Sequence, residues 1–209
     1  LMRTFAQMPS LEVSRFQVHR IGSVEPVHRA LVKAERATPF RVLERLTEPA
    51  GDEPGAPRRF RQDPPQLSRI SGRESAEVLG SLGAYRGVLE PQRRLVLALY
   101  RLGVTAAKVV GTGSVGLRDY CVYFEGNGAG DPLFLQIKEE PGSAYAPYLG
   151  EHGAAQHHGR RVADGQRAMQ AQSDIFLGWT SIDNRHYLVR QLSDHKASIA
   201  VEDRKSEGL

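Results

Sequence analysis

The chain has 209 residues, 40% hydrophobic and 25% charged, with a formal net charge of +4, the composition of a globular protein of one domain or two small ones. No apolar run approaches the ~20 residues that span a bilayer, no signal-type apolar core opens the chain, and basic and acidic residues are interspersed, so neither a membrane nor a nucleic-acid partner is expected. The single cysteine, Cys121, excludes an intrachain disulfide and fits a cytoplasmic protein in which it serves as a small buried hydrophobe.

Taken in order, Phe5, Met8 and Leu11 recur at three-residue spacing over 2–13, which fits one or two helical turns. Residues 14–22 read as extended or irregular. Residues 25–48 read as a helix broken in the middle, where Thr38 caps and Pro39 takes the first helical position. Phe40, Val42, Leu43 and Leu46 then form one apolar stripe. Residues 47–67 carry five prolines and two glycines and read as a surface connector, with a short extended piece around Phe60. A helix is expected over 71–89, capped by Ser71 or Ser75. Glu90-Pro91 opens another, with Leu95, Leu97, Ala98 and Leu102 as apolar positions and Gly103 as its stop.

A β section follows. Gly111, Gly113 and Gly116 stand in G-x-G-x-x-G order between two apolar runs, and a third run, LFLQIK, ends in Lys138. A dinucleotide-binding fold needs a helix to start at such glycines. Here LRDYCVYF follows, which reads as a strand. A Walker loop lacks its Gly-Lys-Ser/Thr, and Ser114 has Thr112 where a hydrolase elbow needs glycine. What remains is strand, glycine loop, strand, turn, strand and lysine, the layout of a kinase-type phosphate-binding lobe. The loop residues Gly111, Thr112, Gly113, Ser114 and Gly116 would bring backbone N–H groups to phosphate, and Lys138 would neutralise it. Leu133, Leu135 and Ile137 share one strand face, and Phe134, Gln136 and Lys138 the other. A lysine inside an apolar lobe needs a partner, and Asp164 in the following helix is the candidate. A glycine-rich turn with an edge lysine reaching water accounts for the same motif.

Residues 141–153 read as irregular and 158–176 as helix. Strands over 177–182 and 187–192 flank the turn Asp183-Asn184, which has hairpin chemistry. Residues 193–209 form a polar tail. His152, His157 and His158 lack a cysteine or paired carboxylate to complete a metal set, and read as a helix-entry cluster. Trp179 reads as core. Arg190, Gln191 and Asp194, at or after the last strand, are candidates for a cleft or for a surface salt-bridge cluster.

The segments GTGSVGLRDY, DPLFLQIKE, GQRAMQAQSDIFLGW and YLVRQLSDHKAS together resemble a bacterial family known as domain of unknown function 2252, across most of the chain. That family is grouped with the protein-kinase-like and aminoglycoside-phosphotransferase-like superfamily. The resemblance implies that Gly111, Gly113 and Gly116 are the glycine loop, that Lys138 is the phosphate lysine, and that Asp164 stands where the family has glutamate. Two departures from the kinase pattern, Arg118 for valine and Gln136 for alanine, fall where an apolar roof would cover adenine. No H-x-D-x-x-x-x-N and no D-F-G segment occurs. Family members carry a G-D-x-H-x-x-N-F-G and a D-F-D-like segment upstream, so the resemblance implies a piece of a longer domain, partnered by its missing part.

The resulting expectation is an α+β fold. A mainly helical segment over 1–105 would precede a kinase-like lobe over 106–193, a five-stranded antiparallel sheet with one helix inserted after the third strand; 194–209 would be a tail. The expected function is binding of ATP, with Mg2+, or of another phosphate ligand, without catalysis by this chain alone. The alternatives are a non-catalytic structural or interaction remnant, and a regulator that binds a small anion through Arg118.

Overall fold

The computed structural model describes residues 39–53, 55–108, 116–128, 131–149, 156–170 and 173–192. The chain divides into two compact units, residues 1–42 with 193–209 and residues 43–192, and nearly all the described residues belong to the second. Helix α1 (Pro39–Leu46) starts on its proline and buries Val42, Leu43 and Leu46, while Phe40 is exposed. Strand β1 (Thr47–Pro49) follows at once and pairs antiparallel with β2 (Arg58–Phe60). Thr47 makes the junction: its hydroxyl donates to Leu43 O at 2.7 Å and accepts from Arg58 Nε at 2.7 Å.

The main sheet is antiparallel throughout. Its strands are β3 (Leu67–Arg69), β4 (Arg101–Lys108), β5 (Asp119–Glu125), β6 (Pro132–Glu139), β7 (Gly178–Ile182) and β8 (Arg185–Gln191), in the spatial order β3-β4-β5-β6-β8-β7. Helices α2 (Gly72–Val88) and α3 (Pro91–Ala98) lie between β3 and β4 in sequence, and α4 (His158–Met169) between β6 and β7. Ser71 caps α2, its Oγ accepting from Glu74 N at 3.2 Å, which satisfies one of the orphan N–H groups of the first turn. Val78, Ser81, Leu82 and Tyr85 recur at the spacing of one helical face and are all buried.

Period-two alternation sorts the strands into two faces. Tyr120, Val122 and Phe124 of β5, Leu133, Leu135 and Ile137 of β6, and Tyr187 and Val189 of β8 form one core with Val78, Leu82, Tyr85 and Leu97 of the helices. Each fully buried aliphatic there contributes about 1.5–3 kcal/mol relative to exposure. The Tyr85 hydroxyl donates to Phe176 O at 2.7 Å, which keeps this deep phenol satisfied. The other face carries an aromatic group, Phe60, Tyr123 and Phe134, and an apolar patch where Ala163 and Val162 of α4 meet Leu177, Leu188 and Trp179. At that contact a Cβ on Gly159 would fall 2.2 Å from Tyr187 O, so the helix approaches β8 closely only because residue 159 has no side chain. Asp183 and Asn184 join β7 to β8 with φ of 48° and 60°, the two left-handed residues of a type I′ turn, as their sequence predicts.

Several expectations require correction. The fold is mixed α and β, but the sheet has six strands, because β3 joins its edge through Leu67, Ser68 and Arg69 opposite Lys108, Ala107 and Ala106. The stretch expected to be a mainly helical segment over 1–105 contains β1, β2 and β3, and β4 starts at Arg101. These short strands are stabilised by partners distant in sequence, which local composition does not reveal. Gly103 lies inside β4, where the ladder shifts between Leu102 and Thr105, and α3 has already ended at Ala98. Leu95 is exposed, as is Leu102. The last helix stops at Met169 rather than reaching residue 176. The helices expected over 2–13 and over the part of 25–48 before Pro39, and the tail over 194–209, lie outside the described residues.

Candidate functional site

The polar part of the second sheet face is built from three adjacent strands. Asp119 of β5 stands opposite Lys138 of β6, Cys121 opposite Gln136, and Gln136 opposite Arg190 of β8. Side chains so paired share a face, with Cβ atoms ~5 Å apart. β4 and β5 form an antiparallel hairpin, and residues 109–118 are its connection. Gly116, in that connection, has φ of +84°, a conformation that costs a residue with a Cβ about 1–2 kcal/mol. Gly111, Thr112, Gly113 and Ser114 lie outside the described residues, as does Asp194.

Gln136 is buried to 1% exposure and organises the cluster. Its Nε2 donates to Asp119 Oδ2 at 2.7 Å, and its Oε1 accepts from Arg190 Nε at 3.0 Å. Both ends of the amide are therefore used, which offsets the cost of burying it. Asp119, 5% exposed, has no hydrogen-bond partner on its other oxygen, Oδ1. Burial pushes the Asp119 carboxyl up to about 7, against the Gln136 hydrogen bond and the positive charges of Lys108, Lys138 and Arg190, which act to lower it. Burial likewise pushes the neighbouring Cys121 thiol up to about 12, so it stays protonated and unreactive.

Lys138 forms its ion pair with Glu140, at 3.2 Å. The expected partner, Asp164, is engaged elsewhere, with Arg160 at 3.3 Å and Arg167 at 3.1 Å on its own helix. One physical reason lies in spacing. Glu140 sits two residues along from Lys138 and shares its side of the strand, while Arg160 and Arg167 flank Asp164 at helical i−4 and i+3 spacing. Arg118 also departs from its expected place in a roof beside Gln136. It stands next to Tyr120 and Tyr187, on the face covered by α2 and α3. The residue on the Gln136 face is Asp119, one position on. Gln191 is registered to Leu135, on the face covered by α2 and α3, and gives its backbone N–H to Asp174.

Glu139 closes the base of the connection. It accepts from Arg118 N at 3.0 Å and pairs with Arg185 at 2.7 Å. Burial would raise its carboxyl, but these donors and their charges hold it below the usual range.

The histidines form a helix entry. His157 caps α4, its Nδ1 accepting from Arg160 N at 3.0 Å, and its ring stacks on His186 at 4.1 Å. An accepting Nδ1 fixes a tautomer with the proton on Nε2, which faces Ser181 Oγ at 3.1 Å. Burial first, then the nearby His186, lowers both His157 and His158 below the ordinary imidazole range. His152 is outside the described residues. Among the described residues no group of three or more His, Cys, Asp or Glu is placed to hold a metal ion. Trp179 packs on the α4 patch as expected of core, but it is only half-buried, with the Arg160 and Arg167 guanidiniums 5.5 and 5.6 Å from its ring. Together with His157, Arg161 and Asp164 it lines an open cleft of ≈ 510 Å³.

Asp119, Glu139 and Glu140 are the site residues that motif reading missed. The available signal was an aspartate inside the apolar run over 117–124, sharing the strand parity of Cys121 and hence the face of Gln136. Among the described residues no helix is long and apolar enough to cross a membrane. No curated protein and no solved structure matches the chain. A family model matches residues 1–209, and the chain therefore belongs to the family described as uncharacterized protein conserved in bacteria (DUF2252).

Proposed function

We propose that the face bearing Lys138, with the glycine-containing connection between β4 and β5, is a kinase-like site for a phosphate ligand. ATP with Mg2+ is the first candidate, bound without phosphoryl transfer by this chain alone. The observation that carries the reading is the register of Lys138 opposite Asp119, which sets a cation at the root of the β4–β5 connection. The order of elements agrees with it: a hairpin around the glycines, a third strand with the lysine, α4, and a second hairpin whose strand β8 returns beside β6. Glycines carry no Cβ to keep a phosphate from their backbone N–H groups, and Lys138, Lys108 and Arg190 supply positive charge. The polar Gln136 and Asp119, in place of an apolar roof, favour recognition of the phosphates over the base.

A second reading is a non-catalytic structural or interaction remnant of such a lobe. Two observations favour it: Lys138 is already neutralised by Glu140, and a carboxyl is buried on the same face. The two are separated by titrating ATP, with and without magnesium, into the wild type and Lys138→Ala. The phosphate-site reading expects a thermal shift in the wild type that Lys138→Ala abolishes. Equal, null responses from both proteins would support the remnant. Retained binding that is lost instead in Arg118→Ala, without need of magnesium, would point to a small-anion regulator.

A further inference from the structure

Asp119 is an unusual group to find on a face rich in cations. It is 5% exposed, one oxygen accepts from Gln136, and the other has no partner. The charged and titratable groups around it are Lys108 from β4, Lys138 with its partner Glu140 from β6, Arg190 from β8, and the buried thiol of Cys121 on its own strand. Among the described residues at the margins, Arg69 of β3 is held by Glu48 and Phe60 O, and Asp164 of α4 is held by Arg160 and Arg167. Lys108, Arg190 and the Glu140-paired Lys138 are thus shared between the buried Asp119 carboxyl and any anion that arrives.

We propose that binding of a phosphate ligand at this face is proton-linked through Asp119, the ligand being taken up together with a proton from solvent that adds to the Asp119 carboxylate. This rests on the phosphate-site reading and specifies how that site is regulated. Ionised, Asp119 opposes a phosphate on the same face and competes for Lys138 and Arg190. Protonated, it is neutral, so it neither repels a phosphate on this face nor draws on the charges of Lys108, Lys138 and Arg190. The transfer is a simple protonation, with no bond broken in the ligand. A carboxyl titrating near 7 is poised for such exchange at neutral pH, and affinity then falls as pH rises, because proton binding and ligand binding are linked.

The test measures ATP affinity from pH 6 to 9 for the wild type and Asp119→Asn. Titration of ATP's own phosphates is common to both proteins and cancels in the ratio of affinities. The wild type should weaken relative to Asp119→Asn by up to about tenfold per pH unit above pH 7. Calorimetry of the wild type at pH 8, in two buffers of different ionisation heat, needs no variant and should show proton uptake. Binding with a flat affinity ratio and no proton uptake overturns this inference and leaves the phosphate site standing. Absence of ATP binding to the wild type even at pH 6 overturns both.

Discussion

Replacing Asp119 by asparagine should stabilise the free protein, increasingly so as pH rises. The carboxyl moves from 3.8 in the unfolded chain to about 7 in the fold. At about 1.36 kcal/mol per pH unit, ionising it in place costs up to about 4 kcal/mol. The sign follows from the direction of the shift. A folded value raised above the unfolded one means stability is fully present below pH 3.8 and is lost progressively as pH climbs to about 7, after which the loss is complete. Asparagine keeps the acceptor for Gln136 Nε2 and cannot ionise, so its stability lacks this term. Urea denaturation of both proteins at pH 4.5, 6, 7 and 8 should show Asp119→Asn gaining on the wild type by a few kcal/mol across the series. A constant difference from pH 4.5 to 8 would refute the reasoning, since the carboxyl would then be solvated or fully paired in the fold.

Other expectations concern the frame around the site. Gly159→Ala forces a Cβ to within 2.2 Å of Tyr187 O and should cost about 1–3 kcal/mol, whereas Gly165→Ala on the same helix meets nothing within 4 Å and should gain up to about 1 kcal/mol; melting curves of the pair would refute the close approach if the two behaved alike. Gly116→Ala, at φ +84°, should lower stability by about 1–2 kcal/mol and weaken ATP more than a distant variant of equal stability, read by parallel melting and binding measurements. His157→Ala removes the α4 cap and should cost about 1 kcal/mol at pH 8. Because the folded His157 and His158 lie below the ordinary imidazole value, their contribution is present above about pH 6.5 and is lost as pH falls from there, so the wild type should lose stability toward pH 5 faster than a His157→Asn, His158→Gln double variant.

Local chemistry was legible where one residue type decides the conformation. A serine cap at Ser71 or Ser75 (Ser71 in the structure), Pro91 at a helix start, Asp183-Asn184 as a hairpin turn, and the two faces of LFLQIK all follow from short-range rules. Of the short strands, β2 was legible as an extended piece around Phe60, but β1 and β3 were not, since Leu67–Arg69 is a strand only because β4 lies beside it. The end of α4 was missed because 170–176 contains no proline or glycine to stop a helix. At the site, strand parity correctly put Gln136 and Lys138 together, but a motif counted from kinases put Arg118, rather than Asp119, beside them. Only the β5–β6 register, Asp119 to Lys138, resolves that one-residue difference, because a slip of one residue moves a side chain to the other face. The spacing of Arg160 and Arg167 around Asp164 was readable, but whether Lys138 meets Glu140 or Asp164 also depends on where α4 lies.

The central claim is that Lys138 and its neighbours form a ligand face. Amide and side-chain NMR shifts of the labelled protein on addition of ATP test it most directly. The account predicts that changes concentrate on Gly116, Asp119, Gln136, Lys138 and Arg190, with little change in α2 and α3, and that Lys138→Ala removes them. Shifts confined to the Trp179 and His157 cleft, or no shifts at millimolar ATP at pH 6, would contradict it.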